Sequence, residues 1–126
     1  MPAHRTDRPP RATVLIVDDD SSFRAAALVL LTVRGYQVVG QADSAAQGLA
    51  LASAMCPDAV LLDVNLPDGD GAALAARLTV AGGPRVLLTS SDPTAMPAHF
   101  ARSCGATGFL AKEDLADAAL DTYLTR

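Results

Sequence analysis

The chain has 126 residues, 50% of them hydrophobic and 19% charged, with a net charge of −4, which suits one globular domain with a single core and excludes a disordered chain. The acidic balance leaves no basic stripe to neutralise phosphates, so nucleic acid is not expected as a partner, and no apolar run approaches the roughly 20 residues of a membrane span. Cys56 and Cys104 form no C-x-x-C pattern, so neither a disulfide framework nor a zinc site is expected, and both are read as buried thiols in a reducing cytoplasm.

In chain order, the opening "MPAHRTDRPPRA" is basic and Pro-rich without an apolar segment behind it, so it is no secretory signal. Residues 1–11 are read as a flexible tail and 12–126 as the domain. Aliphatic runs then recur: "TVLIV" at 13–17, "YQVVG" at 36–40, "AVLL" at 59–62, "RVLLT" at 85–89 and "GFLA" at 108–111. Ala/Leu-rich stretches follow each of them. Runs such as "VLIV" and "AVLL" do not alternate, as expected of strands covered on both faces in a parallel sheet.

Caps and breakers set the helix limits. Asp20 or Ser21 caps a helix beginning near Ser22, which Gly35 closes, and Ser44 caps a second that ends before Pro57. A third, "AALAARLTV", follows Gly71 and stops at Gly82-Gly83-Pro84. Proline is tolerated in a first turn but not inside a helix, so a short fourth helix runs from near Pro97 to near Ser103. Glu113 to about Leu124 makes the last one.

Ligands of an open parallel α/β sheet gather beyond the carboxyl ends of its strands. There the sequence sets Asp18, Asp19 and Asp20 after the first strand and Asp63 after the third. Thr89, Ser90 and Ser91 end the fourth, and Lys112, the only lysine, follows the fifth. Asp20 is explained as a helix cap, and Asp68 and Asp70 in "LPDGDG" as turn residues. Asp18, Asp19 and Asp63 have no such local use. Clustered carboxylates disfavour one another unless a cation offsets them, and an oxygen-only set without His or Cys suits a hard ion such as Mg²⁺. Acids, a hydroxyl and an ammonium facing one point are equipment for holding a phosphoryl group. In this reading Asp63 is the nucleophilic acceptor, Asp18 and Asp19 hold the metal, and Ser90 and Lys112 contact phosphoryl oxygens.

Three stretches in this order resemble the response-regulator receiver domain of two-component signalling: the acidic pair after "VLIV", "DVNLPDGDG" with Pro67, Asp70 and Gly71 after Asp63, and "GATGFLAK" with Gly105, Gly108, Phe109 and Lys112. The resemblance spans about Ala12 to Leu124. It implies a flavodoxin-like (βα)5 fold with strand order 2-1-3-4-5, like that of the chemotaxis regulators. It further implies phosphorylation of Asp63 by a histidine kinase or phosphotransfer protein, with Mg²⁺ held by Asp18, Asp19, Asp63 and the Asn65 backbone carbonyl. The switch hydroxyl maps to Ser90, with Thr89 as the alternative, and the aromatic toggle to Phe109. Asn65 and Asp92 match positions that tune the lifetime of the phosphorylated form. Glu113 stands where the family often has proline after the lysine.

No output segment follows the last helix in this sequence, so the expectation is a cytoplasmic receiver that stands alone unless the sequence is a piece of a longer protein. It would bind a downstream protein or a second copy through the face of the fourth helix, fifth strand and fifth helix, without contacting DNA or membrane. Its only chemistry would be self-phosphorylation from a phosphodonor and self-dephosphorylation. Two alternatives stand beside this. A haloacid-dehalogenase-type phosphatase shares the aspartate, Mg²⁺ and lysine, but its D-x-D signature fails at Asn65 and no cap insertion fits 126 residues. A degenerate receiver acting as an interaction module without phosphate would lack some of these parts, whereas all are present here.

Overall fold

A computed structural model describes residues 9–126. The elements are β1 (Thr13–Val17), α1 (Ser21–Val33), β2 (Gln37–Ala42), α2 (Ala45–Met55), β3 (Ala59–Asp63), β4 (Asn65–Leu66), β5 (Gly69–Asp70), α3 (Gly71–Leu78), β6 (Arg85–Ser90), α4 (Ala98–Ser103), β7 (Gly108–Ala111), a 3-10 turn (Lys112–Asp117) and α5 (Asp121–Leu124). Five strands form one parallel sheet in the order β2-β1-β3-β6-β7. Without the two-residue strands β4 and β5, which pair with each other, this is the flavodoxin-like order 2-1-3-4-5.

Alternation along the strands sends successive side chains to opposite faces, and each face meets its own helices. Leu15, Val17, Val60, Leu62, Val86 and Leu88 pack with residues of α2, α3 and α4. Val14, Ile16, Leu61 and Leu87 pack with Ala27 and Leu31 of α1 and with Leu115, Leu120 and Leu124. Both faces are dry, which explains the unbroken aliphatic runs; each fully buried Leu or Val contributes roughly 1.5–3 kcal/mol. Among the described residues, no helix is long and apolar enough to cross a membrane.

The caps lie where the side chains place them. Asp20 accepts from the N–H groups of Ser22 and Phe23 to start α1, and Ser44 accepts from Gln47 to start α2. The second strand runs to Ala42, two residues beyond the expected end, while Tyr36 is buried and donates its hydroxyl to Asp121. The third helix stops early at Leu78, and at its end both the N–H and the hydroxyl of Thr79 donate to the Ala75 carbonyl.

The expected continuous last helix is a correction. Lys112–Asp117 is a 3-10 turn, Ala118 is extended, and α5 is a single turn over Asp121–Leu124. Leu115 and Leu120 are both buried, yet in one straight helix a five-residue separation turns side chains about 140° apart. Breaking the helix lets both reach the core. Arg34 then donates to the carbonyls of Ala116 and Ala118, and Arg85 to those of Thr122 and Tyr123, so the broken segment keeps its acceptors satisfied.

The thiols are a second correction: Cys56 is exposed and Cys104 half-buried. Cys56 ends α2 in the left-handed conformation at φ 47°, a surface position. Most of the tail expected over 1–11 lies outside the described residues. Arg11 is tied to the domain, its N–H donating to the Gly35 carbonyl and its guanidinium pairing with Asp121 at 2.6 Å.

Asp68 is more than a turn residue. Its carboxylate accepts from the N–H groups of Ala45 (2.6 Å) and Ala46 (3.0 Å) at the start of α2, which holds its pKa below the usual carboxylate range. A depressed folded-state pKa gives stability that is present above the unfolded value and lost as pH falls through the folded one. Asp68→Ala is therefore expected to lower the melting temperature at neutral pH, with the gap to wild type closing in acid. Thermal scans across pH check this, and a gap that persists in acid contradicts it.

Candidate functional site

Each strand delivers its residue to one end of the sheet. Asp18 follows β1 and is fully buried. Its Oδ1 accepts from the Asp20 N–H at 2.8 Å and its carbonyl accepts from the Arg24 guanidinium at 2.7 Å. Asp19 is exposed. Asp63 closes β3, is 7% exposed, and accepts from the Asn65 N–H at 3.1 Å. Ligand oxygens of Asp18, Asp19 and Asp63 lie within 4.8 Å of one another.

The charge balance at this cluster is unfavourable. Burial, and next to it the neighbouring Asp18 carboxylate, push the Asp63 pKa up, while the Asn65 N–H and Lys112 pull it back. Lys112 Nζ stands 2.7 Å from Asp18 Oδ2 and 3.6 Å from Asp63 Oδ2. The nearer contact is an ion pair without hydrogen-bond alignment, so Asp18 Oδ2 is buried with no directed donor. One ammonium faces three carboxylates. A buried oxygen without a donor, in an oxygen-only set, fits a hard divalent cation.

The two hydroxyls at the end of β6 differ. Thr89 is fully buried and donates to the Leu110 carbonyl at 2.7 Å. Ser90 Oγ accepts from the Asp92 N–H at 3.1 Å and has no acceptor for its own proton among the described residues. Alternation places Ser90 on the face of Val86 and Leu88, where Phe109 of β7 packs half-buried. Asp92 is exposed, and its Oδ1 accepts from the N–H and hydroxyl of Thr94, which lowers its pKa.

Sequence reasoning missed two residues here. Arg24 donates to the Asp18 carbonyl and, at 3.2 Å, to Gln41, bracing the acidic loop. Phe23 presents its ring to Lys112. Only their place in the first turn of α1, directly after the acids, could have marked them. The loop after Asp63 depends on Gly71, whose N–H donates to the Val64 carbonyl at 2.7 Å. A Cβ at Gly71 would overlap the Asp63 carbonyl oxygen and lie 2.8 Å from Val64 Cα.

The sequence profile described as the response regulator receiver domain matches residues 14–123. The chain belongs to the response regulator receiver family. Receivers of this family are phosphorylated, interact with histidine kinases and bind Mg²⁺ at an acidic pocket. This receiver is 36% identical to the signal receiver domain of the response regulator NarL from Mycobacterium tuberculosis, with a TM-score of 0.79 over 94% of this chain and 100% of that one. It is 40% identical over 105 residues to BvgA of Bordetella pertussis, whose name describes a positive transcription regulator of virulence factors; the match covers 80% of this chain and 49% of BvgA. A protein-glutamate methylesterase/protein-glutamine glutaminase of Anaeromyxobacter dehalogenans is 35% identical over 107 residues, covering 84% of this chain and 31% of that protein. The chain thus spans about half the length of BvgA and one third of the methylesterase.

Proposed function

We propose that this receiver accepts a phosphoryl group on Asp63 from a histidine kinase or phosphotransfer protein and converts that event into a change of a protein-binding surface. Support comes from one observation above all: three carboxylates converge within 4.8 Å beside the only lysine of the chain. The Asp63 carboxylate attacks phosphorus, an oxygen–phosphorus bond forms, and the bond to the donor's nitrogen or oxygen breaks with its electron pair leaving on the donor. Lys112 is placed to pair with one equatorial oxygen, and Ser90, whose proton has no acceptor among the described residues, to donate to another. Asp18, Asp19, Asp63 and the Asn65 carbonyl would hold magnesium, which would supply the positive charge that the single ammonium cannot provide alone. Asn65 and Asp92 flank the acceptor and Ser90, and set how long the phosphoryl group survives hydrolysis.

Incubation with a small phosphodonor and Mg²⁺ is expected to add one acid-stable, base-labile phosphoryl group, and chelation of divalent ions to stop the reaction. Label that persists without metal would overturn the metal part of this proposal.

The hydroxyl assignment is tested by two alanine variants. Ser90→Ala is expected to leave phosphorylation intact and to shrink the structural response, because the hydroxyl's new bond forms only with the phosphoryl group present and biases a two-state element. Thr89 already spends its proton on Leu110, so Thr89→Ala is expected to cost stability, about 1 kcal/mol, with a smaller loss of response. Amide chemical-shift changes on beryllofluoride addition measure both, and the reverse ranking moves the role to Thr89.

The surface read by the partner is formed by α4, β7 and the C-terminal segment, with Phe109 as the toggle beside Ser90. The same face serves for self-association. Output is by protein contact: the net charge of −4 and the engagement of Lys112 at the acids leave little to attract a duplex. Pull-down and sedimentation with and without beryllofluoride test this, and salt-sensitive binding of the chain to duplex DNA contradicts it.

A further inference from the structure

The Lys112 ammonium makes one contact that the acid cluster does not explain. Its Nζ lies 4.2 Å from the centroid of the Phe23 ring, while the same atom stands 2.7 Å from Asp18 and 3.6 Å from Asp63. Phe23 comes from the first turn of α1 and Lys112 from the first position after β7, so two elements far apart in sequence bring ring and cation together. The face of an aromatic ring attracts a cation, more strongly when water is kept away. The Lys112 side chain is only 16% exposed.

A flexible stem of four methylenes separates a lysine ammonium from its Cα, so its direction must be set by what it touches. The next residue, Glu113, is exposed within the 3-10 turn that Lys112 begins, and among the described residues the ammonium has ion pairs with Asp18 and Asp63 alone. Two carboxylates alone would leave the ammonium with its nearer partner, Asp18, and away from the position where a phosphoryl group on Asp63 would sit. The ring supplies a third, fixed contact.

We infer that Phe23 is a positioning residue: its ring holds the Lys112 ammonium beside both Asp18 and Asp63, so that it already faces the acceptor when a phosphoryl group arrives. This rests on the acceptor role proposed for Asp63. Phe23 also borders an apolar cavity of about 230 Å³ with Ala27, Leu30 and Leu115. Leucine at position 23 would keep that lining apolar while removing the π face.

Because the chain has one lysine, a lysine-labelled sample gives a single set of ε-methylene resonances. In the wild type these are expected upfield of their position in the unfolded chain, through the ring current of Phe23. Phe23→Leu is expected to remove that shift and to slow maximal labelling by a small phosphodonor roughly five-fold, leaving the half-saturating donor concentration unchanged. Phe23→Tyr, which keeps the ring, is expected to restore both. Lysine resonances at their unfolded position in the wild type, or labelling of Phe23→Leu at the wild-type rate, would overturn the inference. Absence of label in the wild type with the upfield shift present would instead overturn the acceptor role of Asp63.

Discussion

Gly71→Ala is expected to destabilise the receiver by about 3 kcal/mol and to slow phosphorylation with it. The glycine is not required by its dihedral angles. It is required because the backbone of α3's first residue runs against the backbone that leaves β3: a Cβ would overlap the Asp63 carbonyl and crowd Val64 Cα at 2.8 Å. Neither obstacle is a side chain that can swing aside, so relief must come from moving the chain between Asp63 and Gly71. That loop carries the Asn65 N–H, which donates to Asp63, and Asp68, which caps α2. A shift of a few tenths of an ångström there would loosen both. Urea denaturation measures the stability loss and donor-dependent labelling the functional one. A variant as stable as wild type would mean that the close approach is not maintained in solution.

Asp63→Asn is expected to abolish labelling and yet raise stability in the absence of metal. Burial and Asp18 push the Asp63 pKa up. A raised folded-state pKa means that the group's contribution is full at low pH and is lost as pH rises through that pKa, so at neutral pH the ionised carboxylate weighs against folding. The amide keeps the acceptor for the Asn65 N–H and removes the charge. Magnesium should reverse the ranking: a ligand at one hundred times its dissociation constant stabilises the folded state by about 2.7 kcal/mol, and the variant has one carboxylate fewer to bind it. Thermal melts with and without Mg²⁺ check both signs. A variant less stable than wild type in chelator would mean that the Lys112 contact outweighs the repulsion.

Local features of the sequence made the frame legible. Aliphatic runs marked the five main strands, Asp20 (or Ser21) and Ser44 marked two helix starts, and the acids, hydroxyls and lysine were expected at the strand ends where they lie. What escaped depends on partners distant in sequence. The last helix has ordinary helical composition, and it breaks because Leu115 and Leu120 must both reach the core while Arg34, more than eighty positions earlier, takes up carbonyls of the broken segment. Asp68 reads as a turn residue because its N–H partners lie 22 and 23 positions away. Sequence spacing left Ser90 and Thr89 as alternatives. The bond from Thr89 to Leu110 across the β6–β7 pair already uses the Thr89 proton, which supports the proposal of Ser90. Nothing in the sequence singled out Phe23, and only the packing of α1 in one cluster with Leu115 of the 3-10 turn brings it to Lys112.

The central claim is that Asp63 carries the phosphoryl group, and locating the modification tests it most directly. The wild-type chain is incubated with a small phosphodonor and Mg²⁺, the acyl phosphate is trapped by borohydride reduction, and tandem mass spectrometry reads which aspartate has become homoserine. Conversion at Asp63, with Asp18 and Asp19 unchanged, is the expected result; conversion at another residue, or at none under conditions that label a known receiver, would contradict it.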